Sequence, residues 1–327
     1  MKLYAHQQRF IDKNPDRALL VWETGTGKTV AACAWLNKRS RLPALVVCPK
    51  GIVEKWKRDL KEWSAKADVT SRDLFKKHNL IKYGAIVVDE AQDFASPLFD
   101  AGRSQRTVTL YNYIRSHENA HVLLLTATPI RSTPWNIHTL AIFVGHFWPV
   151  VPFKNHFFYL TNKFGRYHFE KRNHWQRMIR PNVEEIADIV LMSECADVPI
   201  QHHQTITIPW TKEQEGALKK GEYEPSREWH ERHRAEQGDA KFKELQKVLD
   251  GYRKVIVVCH YLSQIEDYAK RITDREVFIL NGATKNQDQV IQDAREADDC
   301  VFIIQASMGA GFDAAEFSVV VFASMSF

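Results

Sequence analysis

Two short stretches hold the residue types that handle phosphate. Gly25-Thr26-Gly27-Lys28-Thr29 sets a lysine and a hydroxyl behind two glycines, and Asp89-Glu90-Ala91-Gln92 supplies an acidic pair later in the chain. A glycine loop between a strand and a helix turns backbone amides toward phosphate oxygens, helped by the positive end of the helix. There Lys28 would neutralise the outer phosphates and Thr29 would ligate magnesium. Asp89 would hold the same ion through water, and Glu90 would orient and deprotonate an attacking water. The full GxxxxGK pattern is not met, because Trp22 stands where its first glycine belongs. A chance glycine turn would explain the first stretch alone, and a helix cap with an exposed glutamate the second. Their combination favours nucleotide chemistry.

The elements needed to position these residues are legible nearby. Arg17–Trp22 reads as a buried strand leading into the loop, and Val30–Asn37 as the helix leaving it. Leu42–Cys48, Ala85–Asp89 and His121–Thr126 are further apolar strands, with amphipathic helices over Ile52–Trp63 and Thr107–His117. Strands this apolar are buried on both faces, which means parallel strands covered by helices. The rhythm restarts near residue 240: helix Phe242–Gly251, strand Lys254–Cys259, helix Ser263–Ile272, strand Val277–Leu280, a helix from Thr284, then strands Val301–Gln305 and Val319–Ala323. Ser263 with Glu266, and Thr284 with Gln287, have capping-box spacing. The expected fold is α/β, with two parallel-sheet lobes: residues 1–147, a helical insertion and linker over 148–239, and a second lobe over 240–327.

Composition sets outer bounds. The chain has 327 residues, 44% hydrophobic and 26% charged, which describes an ordinary globular protein rather than a fibrous or disordered one. The N-terminus lacks a signal-peptide core, and no run approaches the ~20 apolar residues of a membrane span. A soluble, cytoplasmic protein with no membrane partner is expected. Cys33, Cys48, Cys195, Cys259 and Cys300 form no close pair, and four of them lie in apolar runs. Free thiols in a reducing compartment account for them. A net charge of +5 permits a nucleic-acid partner without requiring one.

Gln7, Gly25–Thr29, Asp89–Gln92 and Thr126-Ala127-Thr128-Pro129 occur in an order and spacing that resemble the Q motif and motifs I, II and III of superfamily-two helicases. The look is nearest to the Swi/Snf-type DNA translocases. Leu3-Tyr4-Ala5-His6-Gln7 resembles their opening segment, Val46–Lys50 with Trp56 their motif Ia, and Val69-Thr70-Ser71 the motif that touches the phosphate backbone. Arg180–Glu185 is similar to a motif that carries a lysine in that family, absent here. Val255–Tyr261 resembles motif IV, and Gln305–Asp313 resembles motif V.

The resemblance implies two RecA-like lobes, ATP and Mg2+ as cofactors, and a monomer that binds nucleic acid, DNA in preference to RNA. It assigns Gln7 to the adenine edge, Gly25, Thr26, Gly27, Lys28 and Thr29 to the phosphates and Asp313 to the ribose or the lobe interface. Pro49, Lys50, Thr70, Ser71, His260, Tyr261, Ser307 and Gly309 would line the nucleic-acid track, and Gln92, Thr126 and Thr128 would couple the two ligands. Phe327 comes just after motif V, and motif VI with its γ-phosphate arginine would follow it. On this reading residues 1–327 bind ATP but turn it over slowly. The compact first lobe suggests a phage or other minimal member, and a non-hydrolysing ATP- and DNA-binding clamp is the alternative.

Three other features compete for roles. Between Lys154 and Arg180 stand seven Lys/Arg, seven aromatics and one acid, Glu170. That mix suits a phosphate track with stacking rings, or equally a small aromatic core with solvated charges. Lys163, Arg166, Lys171 and Arg172 are its candidate phosphate contacts. His230 with His233, and His202-His203, lack further ligands nearby and read as solvated. Trp35, Trp56 and Trp63 lie at helical spacing among apolar residues and read as core.

Overall fold

The computed structural model describes residues 3–78, 82–98, 104–117, 119–163, 166–195, 202–209, 212, 215–216, 238–308, 314 and 316–324. By contact density the chain divides into two units, Met1–Ile200 and Gln201–Phe327.

The first unit opens with helix α1 (Ala5–Lys13), strand β1 (Arg17–Trp22), helix α2 (Lys28–Lys38) and strand β2 (Ala44–Cys48). Helix α3 (Val53–Glu62), strands β3 (Asp68–Ser71) and β4 (Ala85–Asp89), helix α4 (Gln105–Ser116), strand β5 (His121–Thr126) and helix α5 (Trp135–Phe143) follow. Helix α6 (Val150–Phe157), strands β6 (Phe158–Lys163) and β7 (Arg166–Lys171), helices α7 (Trp175–Met178) and α8 (Arg180–Ile186), and strand β8 (Ala187–Val190) complete it. Its main sheet is parallel throughout, in the order β3-β2-β4-β5-β1-β8.

Strand alternation sends side chains to two cores. Leu19, Leu45, Val47, Ile86, Val88, Val122 and Leu124 face α4 and α5, where Leu110, Ile137 and Leu140 meet them. Leu20, Val46, Val87, Leu123 and Leu125 face α1, α2 and α3, against Phe10, Trp35, Leu36, Trp56 and Leu60. Both faces are covered, as their unbroken apolar runs require.

The segment expected as a helical insertion holds α6, α7 and α8, and it also carries a strand pair. Residues 158–163 and 166–171 pair antiparallel as a hairpin, with Phe158 opposite Lys171 and Lys163 opposite Arg166. Aromatic and branched residues alternating with polar ones suit a half-covered strand pair better than a helix. Strand β8 then joins the main sheet beside β1, with Leu19 opposite Ala187 and Trp22 opposite Val190. This pairing closes an edge that β1 would otherwise expose. The hairpin and β8 both lie within the unit Met1–Ile200.

The second unit holds helix α9 (Gly238–Gly251), strand β9 (Lys254–Cys259), helix α10 (Leu262–Arg271), strand β10 (Glu276–Leu280), helix α11 (Gln287–Glu296) and strands β11 (Cys300–Gln305) and β12 (Val319–Phe322). Its sheet is parallel in the order β10-β11-β9-β12. Val255, Val257, Val301 and Ile303 pack on Leu245, Leu249, Ile265 and Tyr268 of α9 and α10. Ile256, Phe302 and Ile304 pack on the other side with Ala294 of α11.

Neither expected capping box forms. Tyr261 caps α10 and Ser263 is already inside it. Helix α11 starts at Gln287, not Thr284, with Asn286 as its cap. The Thr284 hydroxyl donates instead to the Ile279 carbonyl at 3.2 Å, which serves the turn after β10. Cys33, Cys48, Cys259 and Cys300 are buried, and all five cysteines are free thiols. No helix among the described residues is long and apolar enough to cross a membrane.

Candidate nucleotide site

The strands of a parallel sheet deliver their C-terminal ends to one edge, where open α/β sheets take ligands. Lys28 follows β1, Asp89 ends β4 and Thr126 ends β5, so the chemistry inferred from sequence collects on one edge of the first sheet.

The loop after β1 turns on two glycines with left-handed backbone, Gly25 at φ +88° and Gly27 at φ +79°. Residues with a Cβ resist this region, which is why glycine occupies both turns. Gly27 caps α2, so Lys28 and Thr29 are its first helical residues. Thr26 is buried and its hydroxyl donates to the Glu23 carbonyl at 2.7 Å. Trp22, in place of the expected glycine, is fully buried, and its indole N–H donates to Asp188 Oδ1 of β8 at 2.9 Å. Glu23 binds the same neighbouring segment: its backbone N–H donates to Val190 O at 3.0 Å, and its carboxylate accepts the Met192 N–H at 2.7 Å. The added strand β8 thus braces the start of the loop.

Gln7 is buried against the same loop. Its Oε1 accepts the Tyr4 N–H at 2.9 Å, and its Nε2 donates to Thr26 O at 3.4 Å and Gly27 O at 3.3 Å. The amide expected at an adenine edge is here spent on the loop's own backbone. His6 lies beside it, its Nε2 at 2.8 Å from Thr26 O and its ring edge-on to Trp22.

Lys28 is half-buried. Its Nζ donates to the carbonyls of Trp22 at 2.8 Å and Glu23 at 3.1 Å. Burial pulls its pKa below the ordinary lysine value, while Asp89, Glu90 and Glu23 oppose the shift. Asp89 is the mirror case: burial pushes its carboxyl up, the Trp56 hydrogen bond holds it down, and the Glu90 charge raises it again. Its Oδ2 accepts the Trp56 indole N–H at 2.8 Å and its Oδ1 the Glu90 N–H at 2.9 Å. In each group burial works against the charged form while neighbouring groups modulate the shift, a pattern associated with ligand sites.

Glu90 takes a left-handed conformation, φ +51°, that a residue with a Cβ adopts only at a cost. Gln92 Nε2 donates to Glu90 Oε2 at 2.5 Å, Thr126 Oγ1 donates to Gln92 Oε1 at 2.6 Å, and the Thr128 N–H donates to Thr126 Oγ1 at 2.9 Å. An unbroken chain of hydrogen bonds therefore runs from Glu90 to Thr128. Thr29 and Asp89 offer the hard oxygen donors that magnesium prefers, and magnesium commonly takes few protein ligands alongside phosphate and water. The donor chemistry fits that ion.

The residues expected to touch nucleic acid are more dispersed. Pro49 and Lys50 leave β2 at the same edge, Lys50 exposed. Thr70 and Ser71 end β3, but both side chains are buried, at 4% and 6% exposure, which leaves them little surface for a phosphate. In the second unit His260 and Tyr261 follow β9 and Ser307 follows β11, so they share that sheet's C-terminal edge. The His260 N–H donates to Ser324 Oγ at 2.7 Å. Gly309 and Asp313 lie outside the described residues, as do His230 and His233. His202 and His203 are exposed, and no cluster of metal-binding side chains occurs among the described residues.

Sequence reasoning missed several participants. Trp56 was read as core, and it is buried, but it also holds Asp89. A buried indole N–H needs an acceptor, and that need was the available signal. Arg72 and Arg131 form ion pairs with the buried carboxylate of Asp93 beside the site. Each flanks a recognised motif by one to three positions.

Comparison with known proteins supports this architecture. Residues 1–98 match the family described as type III restriction enzyme, res subunit. A 56-residue stretch is 43% identical to Protein CHROMATIN REMODELING 19 of Arabidopsis thaliana, covering 16% of this chain and 7% of that protein. The chain thus spans a small fraction of this relative's length. Among solved structures, a S. cerevisiae Dbp5 variant bound to RNA and ADP BeF3 aligns over 100% of this chain and 76% of its own, with TM-score 0.54 and 14% identity. Another, bound to a Gle1 variant and IP6, aligns over 98% and 74%, with TM-score 0.50 and 14% identity. The structural likeness carries the RecA-like α/β fold. The family match covers the first 98 residues, and the plant relative a shorter stretch still.

Proposed function

We propose that this chain is the ATP-hydrolysing motor of a Swi/Snf-type translocase that moves along double-stranded DNA. The observation that carries the reading is the hydrogen-bond chain from Glu90 through Gln92 to Thr126 and Thr128, set beside Lys28 and Asp89. It joins the residue that would activate water to the turn after β5, so a change at one is felt at the other. Lys28 would leave the Trp22 and Glu23 carbonyls for the phosphates, where its charge finds a stronger partner. Thr29 and Asp89 would hold magnesium, which when bound withdraws charge from the phosphates. Glu90 would take the proton of the attacking water.

Support for duplex DNA comes from the resemblance to Swi/Snf-type motifs, and the name of the plant relative, a chromatin-remodelling protein, agrees with that resemblance. The hairpin supports a nucleic-acid surface next to the site. Tyr159, Leu160 and Phe169 are exposed there, Lys154 lies over the Phe169 ring at 3.4 Å, and Lys171 donates to Ser132 O at 2.8 Å.

The test is an ATPase assay with magnesium, alone and with duplex DNA, single-stranded DNA or RNA. Turnover raised most by duplex DNA is expected. Preferential stimulation by RNA would overturn the DNA assignment, and tight ATP binding with no turnover under any condition would favour a non-hydrolysing clamp.

A further inference from the structure

Asp93 holds more positive charge than one carboxylate can neutralise. It lies in the 3-10 turn Ala91–Phe94, with its side chain only 5% exposed. Arg72, just past β3, bonds its Oδ2, and Arg131, just past β5, places Nη2 at 2.5 Å from its Oδ1. A single arginine would balance a buried acid. The second leaves the trio with a net positive charge, on guanidinium-bearing side chains that stay 35% and 55% exposed. A guanidinium has five N–H donors in a fork suited to phosphate, far more than two shared carboxylate oxygens can absorb.

The backbone under these side chains is held in place. Asn136 Oδ1 accepts the N–H groups of Arg131, Ser132 and Thr133, each at 3.2 Å. Its Nδ2 donates to Ala95 O at 2.7 Å, just past the turn that carries Asp93. The Arg72 N–H donates to Cys48 O at 2.8 Å. Both arginines therefore sit on fixed supports at the C-terminal edge of the first sheet. Arg72 directly follows the buried Thr70 and Ser71, and its own side chain stays 35% exposed.

We propose that Arg72 and Arg131 form a paired contact for the phosphodiester backbone of nucleic acid, with Asp93 as the positioning residue that sets their spacing. The inference rests on the translocase reading. Gln92, the residue before Asp93, bonds both Glu90 and Thr126. A phosphate drawing on the arginines therefore acts on the same turn that orients the glutamate.

The sign of one substitution separates this from simple charge attraction. Asp93→Asn removes a negative charge from a surface meant for an anion, so bulk electrostatics predicts tighter binding. Loss of positioning predicts the reverse. The experiment measures anisotropy of a labelled random-sequence DNA duplex against the full chain over a salt series. Wild type that fails to bind at low salt would defeat the translocase reading itself. Given wild-type binding, Asp93→Asn is expected to weaken it by ~3–10-fold, and Arg131→Lys, which keeps charge but loses the fork, by a similar factor. Arg72→Gln and Arg131→Gln should each reduce the salt slope by about 0.9. Equal or tighter binding by Asp93→Asn overturns the proposal. If that variant does not fold, Arg131→Lys at an exposed position decides alone, and unchanged affinity overturns it.

Discussion

The hydroxyl of Thr126 donates to the side-chain oxygen of Gln92 across 2.6 Å, and both side chains are buried. That bond fixes the Gln92 amide so that its nitrogen meets Glu90. Thr126→Val keeps the shape but deletes both the donor to Gln92 and the acceptor of the Thr128 N–H, and the buried Gln92 oxygen left short of a partner costs about 1–3 kcal/mol. Hydrolysis in a single turnover should fall further than ATP affinity does. Lower stability with an unaltered hydrolysis rate would show that the bond serves only the fold.

Lys28→Ala and Glu90→Gln should fail in different ways. Lysine brings charge to bound phosphates, so its loss should weaken ATP binding by about tenfold or more. Glu90→Gln preserves size and can keep a hydrogen bond to Gln92, yet cannot accept a proton. It should retain bound ATP while hydrolysis drops by ~10²–10⁴-fold. Calorimetric titration against both variants checks this, and equal losses of affinity would contradict the assigned roles.

Gly27 is constrained twice. Its φ of +79° is unfavourable for any residue with a Cβ, and a Cβ built there would lie 2.3 Å from Gln7 Nε2. Gly27→Ala should therefore cost about 1–2 kcal/mol through the backbone alone, with the contact adding to it. Adding Gln7→Ala removes the contact but not the strain, so the double variant should recover only part of the loss. Urea unfolding of the two single variants and the double reads this as a cycle, and simple additivity would mean that the contact carries no energy.

Burial holds the Asp89 carboxyl above the ordinary aspartate range, and Glu90 adds to the shift. Its folded-state proton affinity exceeds the unfolded one. Its contribution to stability is therefore full below the ordinary aspartate pKa and is lost as pH rises through the folded value. Magnesium needs the ionised form, so metal-dependent ATP affinity should change in the opposite direction, falling as acidification reaches that window. Titrations with magnesium and with chelator, on wild type and Asp89→Asn, isolate the step. The same pH dependence in both proteins would refute it.

How much of this was legible beforehand depends on the range of the signal. Arg17–Trp22, Ala85–Asp89, His121–Thr126 and Lys254–Cys259 are strands with the bounds their apolar runs announce, because a strand buried on both faces leaves a continuous local signature. Lys28 and Asp89 were visible for a related reason: Asp89 ends an apolar strand run, and Lys28 closes the glycine turn that follows one.

What the chain did not disclose is everything set by partners distant in sequence. Strand β8 lies beside β1 because that edge was open, a fact that four residues, Ala187–Val190, cannot announce. The hydroxyls of Thr70 and Ser71 looked available and are buried, since exposure depends on what packs over a strand end. Trp56 meets Asp89, and Arg72 and Arg131 meet Asp93, only once β3, β4 and β5 are brought to one edge. Local hydrophobic pattern thus determined the strands and the loop. Only the tertiary structure decided which polar groups share a charge, because that depends on distance and burial rather than on spacing along the chain.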